Sequence, residues 1–434
     1  MKLINYFCII DLEDKNEYFL FNTLYGGFNV ITKEEKKLID IWSTELDIEP
    51  LTEFEEIFYQ QLEENHYLVN NSLEEEEQYR KIQNLSKKIE NEVAAKNESV
   101  TFVLTYNCNF MCPYCFEKNT PKSSSIMTKD MVDRIYDLHN NNINYITFYG
   151  GEPLLLENKE IINYIISKSP KATFSFITNG YYLNEFYDIF SKIKIGLVQV
   201  TLDGTSEIHN QTRILKKSGN TYDKILEGIE LYLKSSINIK IRINVSDKNL
   251  NNIAILCRQL KKQFVKYLNY LSFEIQPLFQ LEIQKRMFLE DTVFRIMVEE
   301  NNEQVLNTTL NSNLNNLIMG KIPYLIPKYT HCLANSYGRF YDSDGDIYSC
   351  ILAVGNKNRR IGTYYPDINF YEHSMLSRNI ESIDKCSKCK FAFLCGGGCS
   401  NAVIRDNDFY RPNCSTLKEE LFYRLPSIYK IMNK

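Results

Sequence analysis

The chain has 434 residues, 12 of them cysteine, with 50 Lys and Arg against 55 Asp and Glu and a formal charge of -5. That length exceeds what one hydrophobic core usually serves, so two or three domains are expected. Neither sign of charge gathers into a tract, which excludes a backbone-wide grip on nucleic acid. The opening MKLINYFCIID lacks the apolar run of an export signal, and no window approaches the roughly 18 apolar residues of a membrane span, so the expected location is cytoplasmic, with no membrane partner.

In chain order, alternation in Asn5–Ile10 and Glu17–Phe21, separated by LEDKN, predicts a hairpin, and Gly26-Gly27 a second turn. Helices are expected from Thr32 and Thr52, because Glu35 and Glu55 stand three residues on, the spacing of a capping box. A hairpin followed by short helices is a winged-helix-like arrangement, here residues 1–75. Its acidic sequence disfavours nucleic acid, and an exposed strand edge of this kind accepts a peptide strand; a structural cap on the next domain is the competing account. The charged helical pattern from Leu73 to Lys96 predicts a linker helix, residues 76–96 beyond the first domain.

Apolar segments follow at Ser99–Thr105, Asn144–Tyr149, Thr173–Thr178, Ile195–Leu202, Ile237–Val245 and Tyr270–Pro277, most of them separated by helical patterns. Repeated β-α with parallel connections makes this an α/β region, and six strands suit a partial (β/α)6 TIM-like barrel over residues 97–300 better than a two-sided sheet. Ligands in such folds sit at the carboxyl ends of the strands. An Asn- and Leu-rich bridging region, 301–330, leads to a cysteine-rich part, 331–434.

In a reducing compartment, cysteines clustered at 108–115 and 332–414 argue for metal ligation over disulfides. The segment NCNFMCPYCFE places Cys108, Cys112 and Cys115 directly after the first barrel strand. Three thiolates in a loop hold three irons of a four-iron, four-sulfur cluster and leave the fourth iron open. Zinc is the alternative, but a closed zinc site wants four ligands and no fourth cysteine or histidine lies beside the triad. Cys8 and Cys257 sit in apolar contexts and read as ordinary buried cysteine.

The spacing C-x3-C-x2-C with Tyr114 before its last cysteine resembles the motif of the radical SAM superfamily. The resemblance implies that S-adenosyl-L-methionine chelates the open iron and that one electron, delivered by an external donor such as flavodoxin or ferredoxin, releases a 5′-deoxyadenosyl radical that abstracts hydrogen. Cys108, Cys112 and Cys115 are then the catalytic metal ligands. After the second strand, Gly150, Gly151 and Glu152 match the glycine-rich element that contacts the methionyl amine; independently, glycines let a backbone approach closely and a carboxylate accepts from an ammonium. Thr178, Asn179 and Gly180 match positions near the cofactor's ribose and backbone, although TNG alone is an ordinary turn. Asp203 and Gly204 end the fourth strand where relatives line the active cavity. Arg213 resembles the residue that pairs with the cofactor carboxylate, a role suited to its planar fork, and a solvated helix-end charge is the alternative. Asn244, ending the fifth strand, is a further candidate for the same pocket, as is Tyr114.

Toward the C-terminus, Cys332, Gly345 and Cys350 in C-x12-G-x4-C, then Cys386, Cys389, Cys395, Cys399 and Cys414, resemble the SPASM domain. Carried over by motif, Cys332, Cys350 and Cys399 hold the nearer auxiliary cluster, and Cys386, Cys389, Cys395 and Cys414 the distal one, for three [4Fe-4S] clusters in all. Fully ligated relatives have an extra cysteine shortly after the position of Cys332; LANSYGRFYDSDG has none. An open coordination position on the nearer cluster is therefore expected, unless His331 or a distant group fills it.

SPASM cysteines and an N-terminal module resembling leader-recognition domains imply a maturase of ribosomally made peptides, of the thioether-forming ranthipeptide or sactipeptide type, forming a thioether or C-C cross-link on a precursor peptide. The second expectation is sulfatase-maturase-like formylglycine formation. That branch places an acidic base immediately after the cysteine corresponding to Cys350, where this sequence has Ile351. The third is a non-catalytic iron–sulfur electron-transfer or binding protein, which has no need of the GGE, TNG and Arg elements.

Overall fold

A computed structural model describes residues 1–12, 16–96, 98–119, 125–278, 306–308, 325–372, 374–404 and 409–414, with Leu417, Leu421, Phe422, Pro426 and Tyr429. Contacts gather the chain into two compact units, one of residues 1–96, 311–336 and 374–434, the other of residues 97–310 and 337–373. Those lines differ from the five segments expected from sequence. Most of the expected bridging region 301–330 lies outside the described residues.

In the first unit, β1 (Lys2–Leu3) pairs antiparallel with β5 (Leu68–Val69), and β2 (Phe7–Asp11), β3 (Glu17–Asn22) and β4 (Phe28–Thr32) form an antiparallel sheet in that order, with β2 and β4 at its edges. Helix α1 (Lys33–Trp42) starts with a complete capping box: Thr32 Oγ1 accepts from the Glu35 N–H at 3.2 Å and Glu35 Oε2 accepts from the Thr32 N–H at 2.6 Å. At α2 (Glu53–Glu64) the box is only half closed, because the Glu55 carboxylate reaches one residue further and accepts from the Leu51 N–H at 2.6 Å. Each such cap is worth about 1 kcal/mol. Both helices bury one apolar stripe on the sheet, where Ile39, Trp42, Phe58 and Leu62 meet Leu20 and Ile31.

Helix α3 (Ser72–Ala95) is capped by Asn71, whose side chain accepts from the Leu73 and Glu74 N–H groups. It is not a solvent-spanning linker. Its Tyr79 ring packs on Phe393 at 5.0 Å and joins a core with Ile380, Ile383 and Leu24, and its hydroxyl donates to the Ser387 carbonyl at 3.0 Å. Residues expected to belong to separate domains therefore share one core.

In the second unit, β6 (Ser99–Val103), β7 (Tyr145–Tyr149), β8 (Thr173–Thr178), β9 (Ile195–Thr201), β10 (Ile239–Val245) and β11 (Leu271–Pro277) pair in sequential order, each parallel to the next. Between them run α4 (Lys129–Leu138), α5 (Lys159–Lys168), α6 (Leu183–Phe190), α7 (Ser206–Thr212), α8 (Tyr222–Lys234) and α9 (Ile253–Gln263). The six expected strands are thus present within a residue or two of their expected bounds. Strand β10 shows why: Ile239, Ile241, Ile243 and Val245 are fully buried, while Lys240, Arg242 and Asn244 point to the opposite, polar face. There Glu274, paired in register with Arg242, accepts from Arg242 Nη1 at 2.8 Å and stands 3.3 Å from Lys240 Nζ.

The sheet does not end with these six. β12 (Leu306–Thr308), inside the expected bridging region, adds parallel to β11. On the other side β13 (Phe340–Asp342) adds parallel to β6, followed antiparallel by β14 (Asp346–Tyr348), β15 (Gly362–Thr363) and β16 (Asn369–Phe370). The result is a mixed α/β sheet. Among the described residues no helix is long and apolar enough to cross a membrane.

Candidate active site

The carboxyl ends of β6 to β10 carry the residues singled out in the sequence, and each is held by another. The loop after β6 runs from Thr105 through Cys108, Cys112 and Cys115. It is fastened on two sides: the Met111 N–H donates to Ile214 O at 2.8 Å and the Lys216 N–H to Asn109 O at 2.9 Å, while the Gly151 N–H donates to Thr105 O and the Glu152 N–H to Asn107 O, both at 2.8 Å. The glycines of YGGEP permit this second seam. Gly150 has φ +139°, and a Cβ on Gly151 would collide with the carbonyls of Asn107 and Tyr106. The close approach that requires glycine here is therefore to the cysteine loop itself.

Glu152 is 1% exposed and its carboxylate accepts three hydrogen bonds. It accepts from the Leu154 N–H at 2.9 Å, Thr178 Oγ1 at 2.6 Å and the Asn179 N–H at 2.7 Å. Burial pushes its pKa up against these donors. Its side chain staples the loop after β7 to the end of β8. Asn179 reaches on to the cysteine loop, donating to Asn109 Oδ1 at 2.7 Å with its Nδ2 3.9 Å from Cys108 Sγ.

Across the sheet, Tyr114, Asp203, Arg213 and Asn244 form one buried network. The Tyr114 hydroxyl donates to Asp203 Oδ2 and accepts from Arg213 Nη1 at 2.7 Å and Asn244 Nδ2 at 3.3 Å. Asp203 Oδ1 also accepts from the Asn244 N–H at 3.0 Å. Arg213 lies over the Phe110 ring at 5.5 Å, and its Nε, like Asn109 Nδ2, is buried without a hydrogen-bond partner among the described residues. It is no solvated helix-end charge: the residue is 8% exposed, ends α7, and has its pKa raised by the anionic forms of its neighbours despite burial. Burial raises the Asp203 pKa, with Arg213 and Tyr114 pulling it down.

The three cysteines are half-buried. Burial, with Glu152 nearby, pushes Cys108 up to about 12, and burial raises Cys112 while Arg213 opposes. Left alone the Cys108 and Cys112 thiols stay protonated at neutral pH, so a metal they take must displace protons.

Two features escaped the sequence reading. His209 on α7 is fully buried, its Nδ1 accepting from the Asp203 N–H at 3.4 Å, and its pKa is driven well down by burial; its place six residues after Asp203 was the available signal. Tyr106, two residues before Cys108, donates to Asp342 Oδ2 at 2.6 Å and so ties the cysteine loop to the β13–β14 turn. No local pattern announces a partner that distant.

Residues 102–254 match the radical SAM superfamily. The chain carries the domain of a radical SAM enzyme. It is 25% identical over 367 residues to the cysteine-type anaerobic sulfatase-maturating enzyme of Clostridium perfringens, covering 75% of this chain and 95% of that one. It is 23% identical over 345 residues to the subtilosin biosynthesis protein AlbA of Bacillus subtilis, covering 74% and 71%. Among solved structures, Streptococcus suis SuiB bound to the precursor peptide SuiA superposes with a TM-score of 0.57 at 15% identity, over 96% of this chain and 99% of that one.

The remaining cysteines of this radical SAM enzyme divide between the units. Cys332 and Cys399 fall in the first and Cys350 in the second. Cys350 and Ile351 pack beside Tyr106, Tyr149 and Tyr348 within the second unit. In the first unit, Cys386, Cys389, Cys395 and Cys414 line a single pocket with Phe391 and Leu417. Burial, helped by the neighbouring thiols, pushes Cys386 up to about 12 and Cys395 to about 11. Among the described residues no group of three or more His, Cys, Asp or Glu side chains is arranged to hold a single metal ion. His331, weighed as a ligand, turns Nδ1 to the Cys395 carbonyl at 2.9 Å.

Proposed function

We propose that this radical SAM enzyme modifies a ribosomally made precursor peptide, forming a thioether or a carbon–carbon cross-link on it. The observation that carries the reading is the extent of the fold match: the likeness to SuiB bound to a precursor peptide spans 96% of the chain, whereas a likeness to a sulfatase-maturating enzyme with bound AdoMet spans 77%. In the first unit, the edge strands β2 and β4 suit a peptide that adds as a further strand.

The residues present fit the cofactor. Three thiols on one loop suit three irons of a cluster whose open iron takes S-adenosyl-L-methionine, and the unpartnered buried Nε of Arg213 suits that molecule's carboxylate. When bound, the cluster supplies the electron that opens the sulfonium and starts hydrogen abstraction. Tyr114 and Asp203 hold Arg213 in place. The backbone carbonyls of the Gly150-Gly151 loop, with the remaining acceptor capacity of Glu152, suit the methionyl ammonium. The four thiols of the Cys386, Cys389, Cys395 and Cys414 pocket would hold a distal auxiliary cluster, which would supply electron-accepting chemistry.

Formylglycine formation is the second reading, favoured by the 95% coverage of the Clostridium perfringens relative. Against it, Ile351 offers an apolar side chain packed with Tyr149 and Tyr106 where an acidic base would stand. The test is incubation of the reduced, reconstituted enzyme with precursor and with a sulfatase-derived cysteine peptide, read by mass. Loss of two hydrogens from the precursor with one thiol made unreactive supports the thioether; aldehyde on the sulfatase peptide and an unchanged precursor reject it.

A further inference from the structure

Arg378 carries a charge on one of the most buried large side chains in the molecule. It is 1% exposed. Its guanidinium does not lie idle: Nη2 donates to the Gly397 carbonyl at 2.6 Å and Nη1 donates to the Phe409 carbonyl. These two carbonyls belong to the two chain segments that wall the four-cysteine pocket. Gly397 stands between Cys395 and Cys399 and itself lines the pocket, while the segment of Phe409 runs on through Pro412 to Cys414. One planar fork therefore spans both walls, a geometry that an ammonium does not reproduce.

The turn it grips has few alternatives. Gly396, Gly397 and Gly398 have φ of +64°, +88° and +77°, three successive left-handed residues that only glycine adopts at low cost. Such a turn has no side chains to fix it, so its shape depends on what holds its carbonyls; His331 takes the Cys395 carbonyl and Arg378 the Gly397 carbonyl. Burying a guanidinium is costly unless anions compensate it. Four thiolates around an iron–sulfur core carry net negative charge, and a nearby cation favours the reduced, more negative state of such a core.

We infer that Arg378 is a positioning residue for the pocket of Cys386, Cys389, Cys395 and Cys414: it fixes both walls and raises the reduction potential of the cluster held between them, making that cluster the favoured electron acceptor. This rests on the reading of the pocket as a cluster site. The experiment uses full-length enzyme reconstituted without air and an EPR-monitored redox titration of the wild type with Arg378→Gln, Arg378→Lys and Arg378→Met. Arg378→Gln keeps donors and removes charge; it is expected to retain iron while making reduction at least tenfold less favourable, a shift of about 59 mV for one electron. Arg378→Lys keeps charge and loses the fork; it is expected to hold the potential but release that cluster's iron to a chelator several-fold faster. Arg378→Met should show both defects. A wild-type potential in fully loaded Arg378→Gln overturns the electrostatic role, and a wild-type release rate in Arg378→Lys overturns the positioning role. Iron at the Cys108, Cys112 and Cys115 site serves as internal control for folding. Should a Cys386→Ala, Cys395→Ala double variant lose no iron, the pocket holds no cluster, a failure of the underlying reading that is distinct from failure of Arg378.

Discussion

The hydroxyl of Tyr114 donates to the carboxylate of Asp203 while accepting from Nη1 of Arg213 at 2.7 Å, so the aromatic residue of the cysteine motif is also the insulator between a buried acid and a buried base that stand 4.0 Å apart. Tyr114→Phe removes a donor from Asp203 and an acceptor from Arg213 at once. Leaving such groups unsatisfied costs about 1–3 kcal/mol each. Cleavage of S-adenosyl-L-methionine should fall by about 10- to 100-fold with the iron content unchanged, measured as 5′-deoxyadenosine per cluster. Unimpaired cleavage would separate the network from cofactor handling.

Gly151→Val places a branched side chain against the carbonyls of Asn107 and Tyr106. Overpacking of this kind costs about 1–3 kcal/mol, and here the displaced element is the loop bearing Cys108. The expected outcome is a coupled loss: less iron at the first cluster and less cofactor cleavage, in the same proportion. Full iron with absent cleavage would instead put the glycine's importance at the ligand.

Changing Cys108, Cys112 and Cys115 together to Ala should take iron in anaerobically reconstituted protein from about twelve atoms to about eight, one cluster of three. Iron assay with Mössbauer spectroscopy checks this. A fall to zero would mean that the two cysteine-rich regions do not load independently.

Asp342 gives a pH signature. Burial pushes its carboxyl up to about 7, opposed by the Tyr106 hydroxyl and the Asp346 N–H. An unfolded aspartate ionises near about 3.9. The folded chain therefore holds a proton that the unfolded chain has released, and the stability this confers is complete below the unfolded value and is lost as pH rises through about 7. Thermal melts from about pH 4 to 8 should show stability declining over that window, and Asp342→Asn, which cannot ionise, should flatten the decline. An unchanged slope in the variant would assign the titration elsewhere.

The parts of this molecule written as periods are legible in the sequence. Strand β10 alternates Ile with Lys, Arg and Asn because one face meets helices and the other meets polar neighbours, and Thr32 with Glu35 declares the start of α1. The clustering of Tyr114, Asp203, Arg213 and Asn244 was anticipated only as membership of a common pocket; their direct bonding depends on rotamers that no spacing encodes. What stayed hidden was whatever joins distant segments: Tyr79 on Phe393, Tyr106 on Asp342, and β13 beside β6. Glu55 is a smaller instance, a correctly placed capping residue that serves Leu51 in place of Thr52.

The pairing of β6 with β13 also imposes an order of events in biosynthesis. Thr101 emerges early from the ribosome, yet its sheet partner, Phe340, is made only after the helices and strands that follow the cysteine loop. Until then Val103 and Tyr106 lack the neighbours Tyr348 and Val354 that later bury them, and the loop bearing Cys108 hangs from an incomplete strand edge. Non-local pairing of this kind slows folding and leaves an edge open to aggregation. Iron delivered during translation meets an unfinished cradle, so productive loading belongs to the nearly complete chain.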